Sequence, residues 1–396
     1  MVKFEFQDLE FIDEKGRIKV IFLKYFHFYM ENDELEKIGT FKIRKNSIEF
    51  DVSEKKANKF NYLLENGFKN LMNFKNKPTV YVHQNSGIPL IGTNYFGIID
   101  RGTNLIEIKP VTGCNLECIY CSVDEDRRTR EFVVEKDYMV NELKKLIDIK
   151  ESDDLEIHIG CQGEPLLYAP LNELISDIKK IKKVRRISMD TNALILDKKK
   201  IDELIDAGLT CFNVSLNSLD LENSKKIAGT NYPVKKILEN IEYISQKGKL
   251  VIAPVWVPGI NDEDIEKLVE FSKEKNHVLG IQKFLNYEFG RNVAKAVSWE
   301  DFYKKMKELE QKYSKKLIFS AEDFLIQKDK SMKKPFRKSE IIKAKIICEG
   351  RFRNEKIAVA ESRAISILNA KKADIGNVVK LKIVRSKHNI FVGVLI

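Results

Sequence analysis

TGCNLECIYCSVDEDRRTR, residues 112–130, places three thiols within eight positions, at Cys114, Cys118 and Cys121. It directly follows a short apolar run, LIEIK (105–109), that reads as a buried strand. Spacings of four and three let one loop fold its thiolates around a single metal centre, and soft thiolates favour zinc or iron–sulfur chemistry over hard cations. A structural zinc site wants a fourth ligand, but the nearest histidine is His158 on the next expected strand, and the chain has no second cysteine pair. Three ligands on a four-iron cluster leave one iron without a protein thiolate, and an open position marks a metal site that binds substrate. Three buried structural cysteines, or an incomplete zinc site, are the alternative readings of this spacing.

Further along the chain the pattern repeats. Apolar runs suited to buried parallel strands appear at LEIHIG (155–160), RRISMDT (185–191), CFNVSL (211–216), LVIAPVW (250–256) and LGIQKF (279–284). Most gaps between them hold helix-period segments such as LNELISDIKKIKK (171–183) and DEDIEKLVEFSKEK (262–275). Six such units predict an α/β fold, a partial (βα)6 barrel of the TIM-like kind. Such barrels carry their chemistry at the C-terminal ends of the strands, which is where the cysteine loop falls.

The Cys-x-x-x-Cys-x-x-Cys loop, with aromatic Tyr120 before its last cysteine, resembles the defining motif of the radical S-adenosylmethionine (SAM) superfamily. The resemblance implies a [4Fe-4S] cluster on Cys114, Cys118 and Cys121, whose open iron chelates the amino and carboxylate groups of SAM. It further implies reductive cleavage of SAM to a 5′-deoxyadenosyl radical, with a reductase or ferredoxin-type protein as electron donor. GCQGEP (160–165) is similar to the family's Gly-Gly-Glu-Pro element, with Gln162 in place of a glycine; Gly163, Glu164 and Pro165 match. A glycine lets the backbone approach a ligand, and a carboxylate accepts hydrogen bonds from an ammonium.

The third strand ends in MDTNAL (189–194), resembling a Thr-Asn-Gly ending with Ala193 for glycine, and Thr191 and Asn192 are carried over as SAM contacts. The fourth ends in NVSLNSLD (213–220), where Ser215 and Asn217 share a face by the period of two and resemble the pair that holds the SAM ribose or carboxylate. From the last two strands come Val257 as an apolar wall, Gly259 for close approach and Gln282 as an adenine partner. Turn capping and barrel packing are the plainer readings of these positions. DEDRRTR (124–130) reads as a solvated loop, against a basic residue that pairs with the SAM carboxylate. Cys161, Cys211 and Cys348 are dispersed and read as buried thiols, with Cys161 adjoining the Gln-Gly-Glu-Pro turn.

The chain has 396 residues and a formal net charge of +10, distributed unevenly. Residues 331–396 hold 16 basic and 5 acidic groups, whereas residues 1–330 hold 53 and 54. The excess positive charge therefore lies at the end of the chain, the expected contact for a polyanion. The reading divides the protein into an N-terminal α+β domain (1–100), the partial barrel (101–330), and a basic linker with a small β-barrel of four expected strands (331–396). ADIGNVVKLKIVRSKHNIFVGVLI (373–396) resembles the closing half of a TRAM domain, and the resemblance implies RNA binding, with Lys380, Lys382, Arg385 and Lys387 as contacts and Phe352 and Phe391 as candidates for stacking on bases.

Residues 1–100 contain no cysteine, which disfavours the methylthiotransferases, whose N-terminal domain carries three further cluster ligands. No stretch approaches the roughly 18 apolar residues of a membrane span, and the cysteine pattern suits a reducing compartment, so a cytoplasmic protein is expected. The combined expectation is a radical SAM enzyme acting on RNA, transfer RNA foremost. A radical SAM enzyme acting on a protein or small metabolite, and a non-catalytic iron–sulfur or zinc protein, are the competing readings.

Overall fold

A computed structural model describes residues 1–396. Its central sheet has seven strands: β1 (Gly97–Asp100), β2 (Leu105–Lys109), β3 (Leu155–Ile159), β4 (Val184–Thr191), β5 (Cys211–Val214), β6 (Lys249–Ile252) and β7 (Val278–Leu279), in spatial order β7-β6-β5-β4-β3-β2-β1. Strands β2 to β7 run parallel, with register pairs such as Ile108↔Ile159, Met189↔Phe212 and Ile252↔Leu279, and β1 closes one edge antiparallel to β2. Ile106, Ile108, Ile157, Ile159, Ile187 and Met189 are fully buried, as expected of parallel strands covered on both faces. Beyond β6 and β7 the barrel continues as a short pair, Val255–Trp256 against Gln282–Lys283.

The region before the barrel is richer in strands than the sequence suggested. Leu9–Glu14, Arg17–Phe22, Phe26–Glu31 and Met72–Asn73 form one antiparallel sheet, and Val2–Glu5, Phe41–Arg44 and Ser47–Phe50 form another. Glu54–Ala57 and Lys59–Lys69 are helical. This region is continuous with the barrel. Thr79–Val82 pairs in parallel with Glu131–Val134, which directly follows the cysteine loop, and β1 enters the main sheet from before residue 101.

The C-terminal strands are β8 (Ile341–Glu349), β9 (Lys356–Ala360), β10 (Arg363–Leu368), β11 (Val378–Arg385) and β12 (Val392–Leu395), closed in the order β8-β9-β10-β12-β11. Four strands were expected, and the fifth is β10. The turn before it uses Glu361 and Ser362 at φ of 45° and 54°, left-handed positions that glycine or asparagine usually fills, so the sequence reads through without punctuation. The turn-rich passage HQNSGIPLIG (83–92) is the seat of this small barrel: Ala364 N–H donates to the Ile91 carbonyl at 2.9 Å and Phe391 N–H to the Gly92 carbonyl at 2.8 Å. Gly92 has φ +140°, and a Cβ there would lie 1.9 Å from the Ala364 carbonyl oxygen, so only glycine permits the contact. No helix is long and apolar enough to cross a membrane.

Candidate active site

The cysteine loop leaves β2 and is fixed by backbone bonds from several directions. Glu117 and Ile119 N–H donate to the carbonyls of Ala228 and Ile227, both at 3.0 Å, and Arg291 N–H donates to the Cys121 carbonyl at 2.9 Å. The loop bounds a cavity of about 220 Å³ at the C-terminal ends of the strands, into which all three cysteines face. Tyr120, Gly163, Glu164, Thr191 and Asn192 also line it. Ser215, Asn217 and Gln282 complete the set of expected residues found there.

Three hydrogen bonds fix the Glu164 carboxylate. Its Oε1 accepts from Thr191 Oγ1 at 2.8 Å and Leu166 N–H at 3.1 Å, and its Oε2 accepts from Asn192 N–H at 2.8 Å. Thr191 and Asn192 thereby tie the end of β4 to the turn after β3. Burial nonetheless dominates and pushes the carboxyl up to about 7, so an incoming cation at this position stabilises its ionised form. Asn217 Nδ2 donates to the Tyr120 hydroxyl at 2.9 Å while its Oδ1 accepts from Val255 N–H at 2.8 Å, joining the cysteine loop, β5 and the strand after β6. Tyr232, a position sequence reasoning passed over, donates its hydroxyl hydrogen to the carbonyls of Asn192 and Ser215 at 2.8 and 2.9 Å and so braces two strand ends at once.

Three expected residues lie outside the cavity lining. Pro165 opens a short 3₁₀ turn and packs inward. Val257 is buried, its N–H bonded to Asn261 Oδ1 at 2.8 Å, and Gly259, at φ +78°, donates its N–H to Asp262. The strand ends at Trp256, one residue before the expected lining, and the chain then turns into the helix Asp262–Glu274; Ala253 and Val255 line the cavity instead. DEDRRTR is solvated only in part, at Asp126, Arg127 and Thr129. Glu125 and Arg128 within it are buried, Arg128 reaches the cavity, and its guanidinium pairs with Glu131 at 2.9 Å and Glu125 at 3.5 Å. Cys161 lines the same cavity, and Phe391, a candidate for base stacking, is fully buried in the small barrel. Phe352 stacks on Phe289, with ring centroids 4.0 Å apart.

Beneath this cavity lies a second one of about 740 Å³ in the barrel lumen, and Ala253 and Gln282 border both. A hydrogen-bonded chain connects them. Asp190 faces the upper cavity, its Oδ2 lies 3.2 Å from His158 Nε2, His158 Nδ1 lies 2.9 Å from Ser188 Oγ, and Ser188 donates to Glu156 at 2.6 Å. Because Ser188 gives its proton to a carboxylate, it accepts from His158, so Nδ1 carries hydrogen and the Asp190–His158 contact shares one further proton. Burial opposes charge on His158, but Asp190, with Glu107 and Glu156 behind it, outweighs that and raises its pKa.

The donor set fits a cluster. Burial pushes the Cys114 thiol up to about 12 and that of Cys118 higher, so their thiolates need a bound cation to persist. Residues 108–272 match the family model described as the Radical SAM superfamily. The chain belongs to the radical SAM superfamily. It is 37% identical over 372 residues to an uncharacterized protein of Methanocaldococcus jannaschii, covering 86% of this chain and 85% of that relative. It is 31% identical over 204 residues to a GTP 3′,8-cyclase of Staphylococcus carnosus, covering 49% of this chain and 58% of the relative's length. Among solved structures it is similar to Streptococcus suis SuiB bound to S-adenosylmethionine, at 15% identity and a TM-score of 0.42, covering 80% of this chain and 71% of that one. The cofactors of the radical SAM family are a [4Fe-4S] cluster and SAM.

Proposed function

We propose that this radical SAM enzyme modifies RNA, with transfer RNA the leading substrate, and that its C-terminal barrel holds the polyanion. One observation supports this most: a basic face on β8 and β11 that is free of ion pairs. Lys380 and Lys382 are exposed on β11, and the register places Lys343 of β8 opposite Lys380, with exposed Lys345 two residues further along β8. Of the 16 basic residues in 331–396, only Arg351 and Lys356 form salt bridges, which leaves Arg385 and Lys387 free as well. Exposed Ile341 and Val378, at 62% and 64%, pair across the strands with Lys382 and Lys345 at the two ends of the face. Unpaired lysines on one face neutralise phosphates without reading bases, and the burial of Phe391 fits such non-stacking contact.

In this reading Cys114, Cys118 and Cys121 would hold the cluster, which would supply one-electron reduction of SAM, with an external ferredoxin or reductase as the electron source. Glu164 accepts the SAM ammonium, Thr191 and Asn192 hold that carboxylate in place, and Asn217 and Tyr120 fix the opposite wall. Gln282 borders both cavities and suits the adenine. The Asp190–His158 pair stands where the two cavities meet and can pass one proton at the Asp190 carboxylate.

The test replaces Lys343, Lys345, Lys380 and Lys382 with glutamate. Binding to total transfer RNA should weaken, and the magnitude of the slope of log K against log salt should fall by about 3.6, near 0.9 for each of four phosphates no longer neutralised. Unchanged RNA binding contradicts the reading. Mass spectrometry of nucleosides from cells lacking the protein should then show one modification missing. Deleting residues 331–396 would not serve, because Arg351 reaches from that segment into the cysteine-loop region. A small-metabolite substrate is the second reading, favoured by the lumen cavity, whose lining includes Glu107, Glu156, His158 and Arg186, and by the GTP 3′,8-cyclases among the relatives.

A further inference from the structure

We propose that Arg351 is a positioning residue of the SAM site, so that the C-terminal barrel completes that site rather than merely being tethered beside it. Arg351 lies in the loop between β8 and β9, far along the sequence from the barrel motifs, yet it is 0% exposed. Its Nη1 donates to Gln162 Oε1 at 2.8 Å, and its Nη2 donates to the Gln162 carbonyl at 2.8 Å and the Thr112 carbonyl at 3.0 Å. Glu131 Oε2 stands 3.3 Å from Nη2. Gln162 is two residues before Glu164, and Thr112 two before Cys114.

The two turns that Arg351 grips are themselves in backbone contact. Glu164 N–H donates to the Gly113 carbonyl at 2.8 Å, and a Cβ on Gly163 would lie 2.4 Å from that oxygen and 2.5 Å from the Thr112 carbonyl oxygen. One guanidinium therefore closes a three-way junction in which the cysteine loop, the Gln-Gly-Glu-Pro turn and the small barrel meet. A planar fork spreads its donors over separate nitrogens in a fixed geometry and so bridges two carbonyls and an amide at once, whereas an ammonium donates from a single point.

Docking alone does not account for this arginine. The Ala364–Ile91 and Phe391–Gly92 backbone bonds and the Phe352–Phe289 stack already hold the small barrel in place. A buried ion pair is weak as a stabilising device, because desolvation offsets much of the attraction. Here Glu131 is shared by Arg351 and Arg128, Arg128 also pairs with Glu125, and the Nε of each arginine is buried without a partner. A guanidinium near the sulfur ligands favours a more negative occupant, as a reduced thiolate-ligated cluster is.

The experiment compares full-length wild-type protein with Arg351→Met, Arg351→Lys and, as a control on the same loop, Arg353→Met. In the metal-free state, hydrogen exchange is followed at residues 110–116, 160–166 and 341–395. In the reconstituted state, iron per chain, SAM affinity by equilibrium dialysis and the cluster midpoint potential are measured. Arg351→Met should leave barrel protection and iron content at wild-type levels, speed exchange in both turns, lower the potential and raise the SAM Kd about tenfold or more, the scale of losing charged hydrogen bonds. Arg351→Lys should restore the potential while leaving SAM affinity impaired, and Arg353→Met should match wild type. Wild-type SAM affinity and turn exchange in Arg351→Met overturn the proposal. Loss of protection across 341–395 also overturns it, by assigning Arg351 to docking.

Discussion

Glu164 concentrates the electrostatics of the site on one group. Its pKa, about 7, exceeds the ordinary value of 4.5, so the folded ligand-free protein holds a proton there that the unfolded chain releases. Stability should therefore fall as pH rises from about 4.5 to 7, and Glu164→Gln should remove that dependence in melting curves. The same carboxyl gains from a cationic partner only when ionised. SAM affinity should rise with pH through neutrality in the wild type and be flat and weaker in Glu164→Gln, as titration calorimetry at pH 6 and 8 would show.

Asp190 bears on its neighbour in a comparable way. Asp190→Asn removes the charge that most favours protonated His158, so His158 should titrate at lower pH in a histidine NMR titration of the metal-free protein. Wild-type folded stability contributed by that proton is fully present below the ordinary histidine range and fades as pH rises through the elevated value; the variant should lose it. An unchanged His158 titration would show that the two side chains are not coupled.

Among the secondary-structure elements, the cysteine loop and the strand ends were legible because each is a local pattern: three thiols in one loop, and apolar runs closing on Glu164, Thr191 with Asn192, or Ser215 with Asn217. Val257 and Gly259 mark where that reasoning stops, since whether a strand ends at 256 or 258 depends on Asn261 and Asp262 capturing the turn. Arg351 was illegible for a different reason. Its partners lie 189 and 239 positions away, and no spacing rule spans such distances. Strand β10 was hidden by a left-handed turn built from Glu361 and Ser362. Gly92→Ala tests the seam between these elements: the clash with the Ala364 carbonyl should undock the small barrel, seen as new proteolytic cleavage between residues 326 and 340, with the rest of the chain intact. Resistance equal to wild type would mean that the seam tolerates a side chain.

At the scale of the molecule, one core of 74 buried residues runs from Leu9 to Ala364, so the N-terminal sheets, the barrel and one wall of the C-terminal barrel share their apolar interior. That continuity makes the site a product of the whole chain. The strands before residue 97 support Glu131–Val134 behind the cysteine loop, the barrel supplies the three cysteines and most of the side chains that line the cavity, and the last domain brings Arg351 inward while its lysines face outward. The central claim is that three thiols here hold a four-iron cluster with one iron open to SAM. Anoxic reconstitution followed by reduction with dithionite in the presence of SAM tests it directly. The account predicts four irons per chain and release of 5′-deoxyadenosine, both abolished on replacing Cys114, Cys118 and Cys121 with alanine; preferential uptake of zinc, or a cluster that leaves SAM intact, would contradict it.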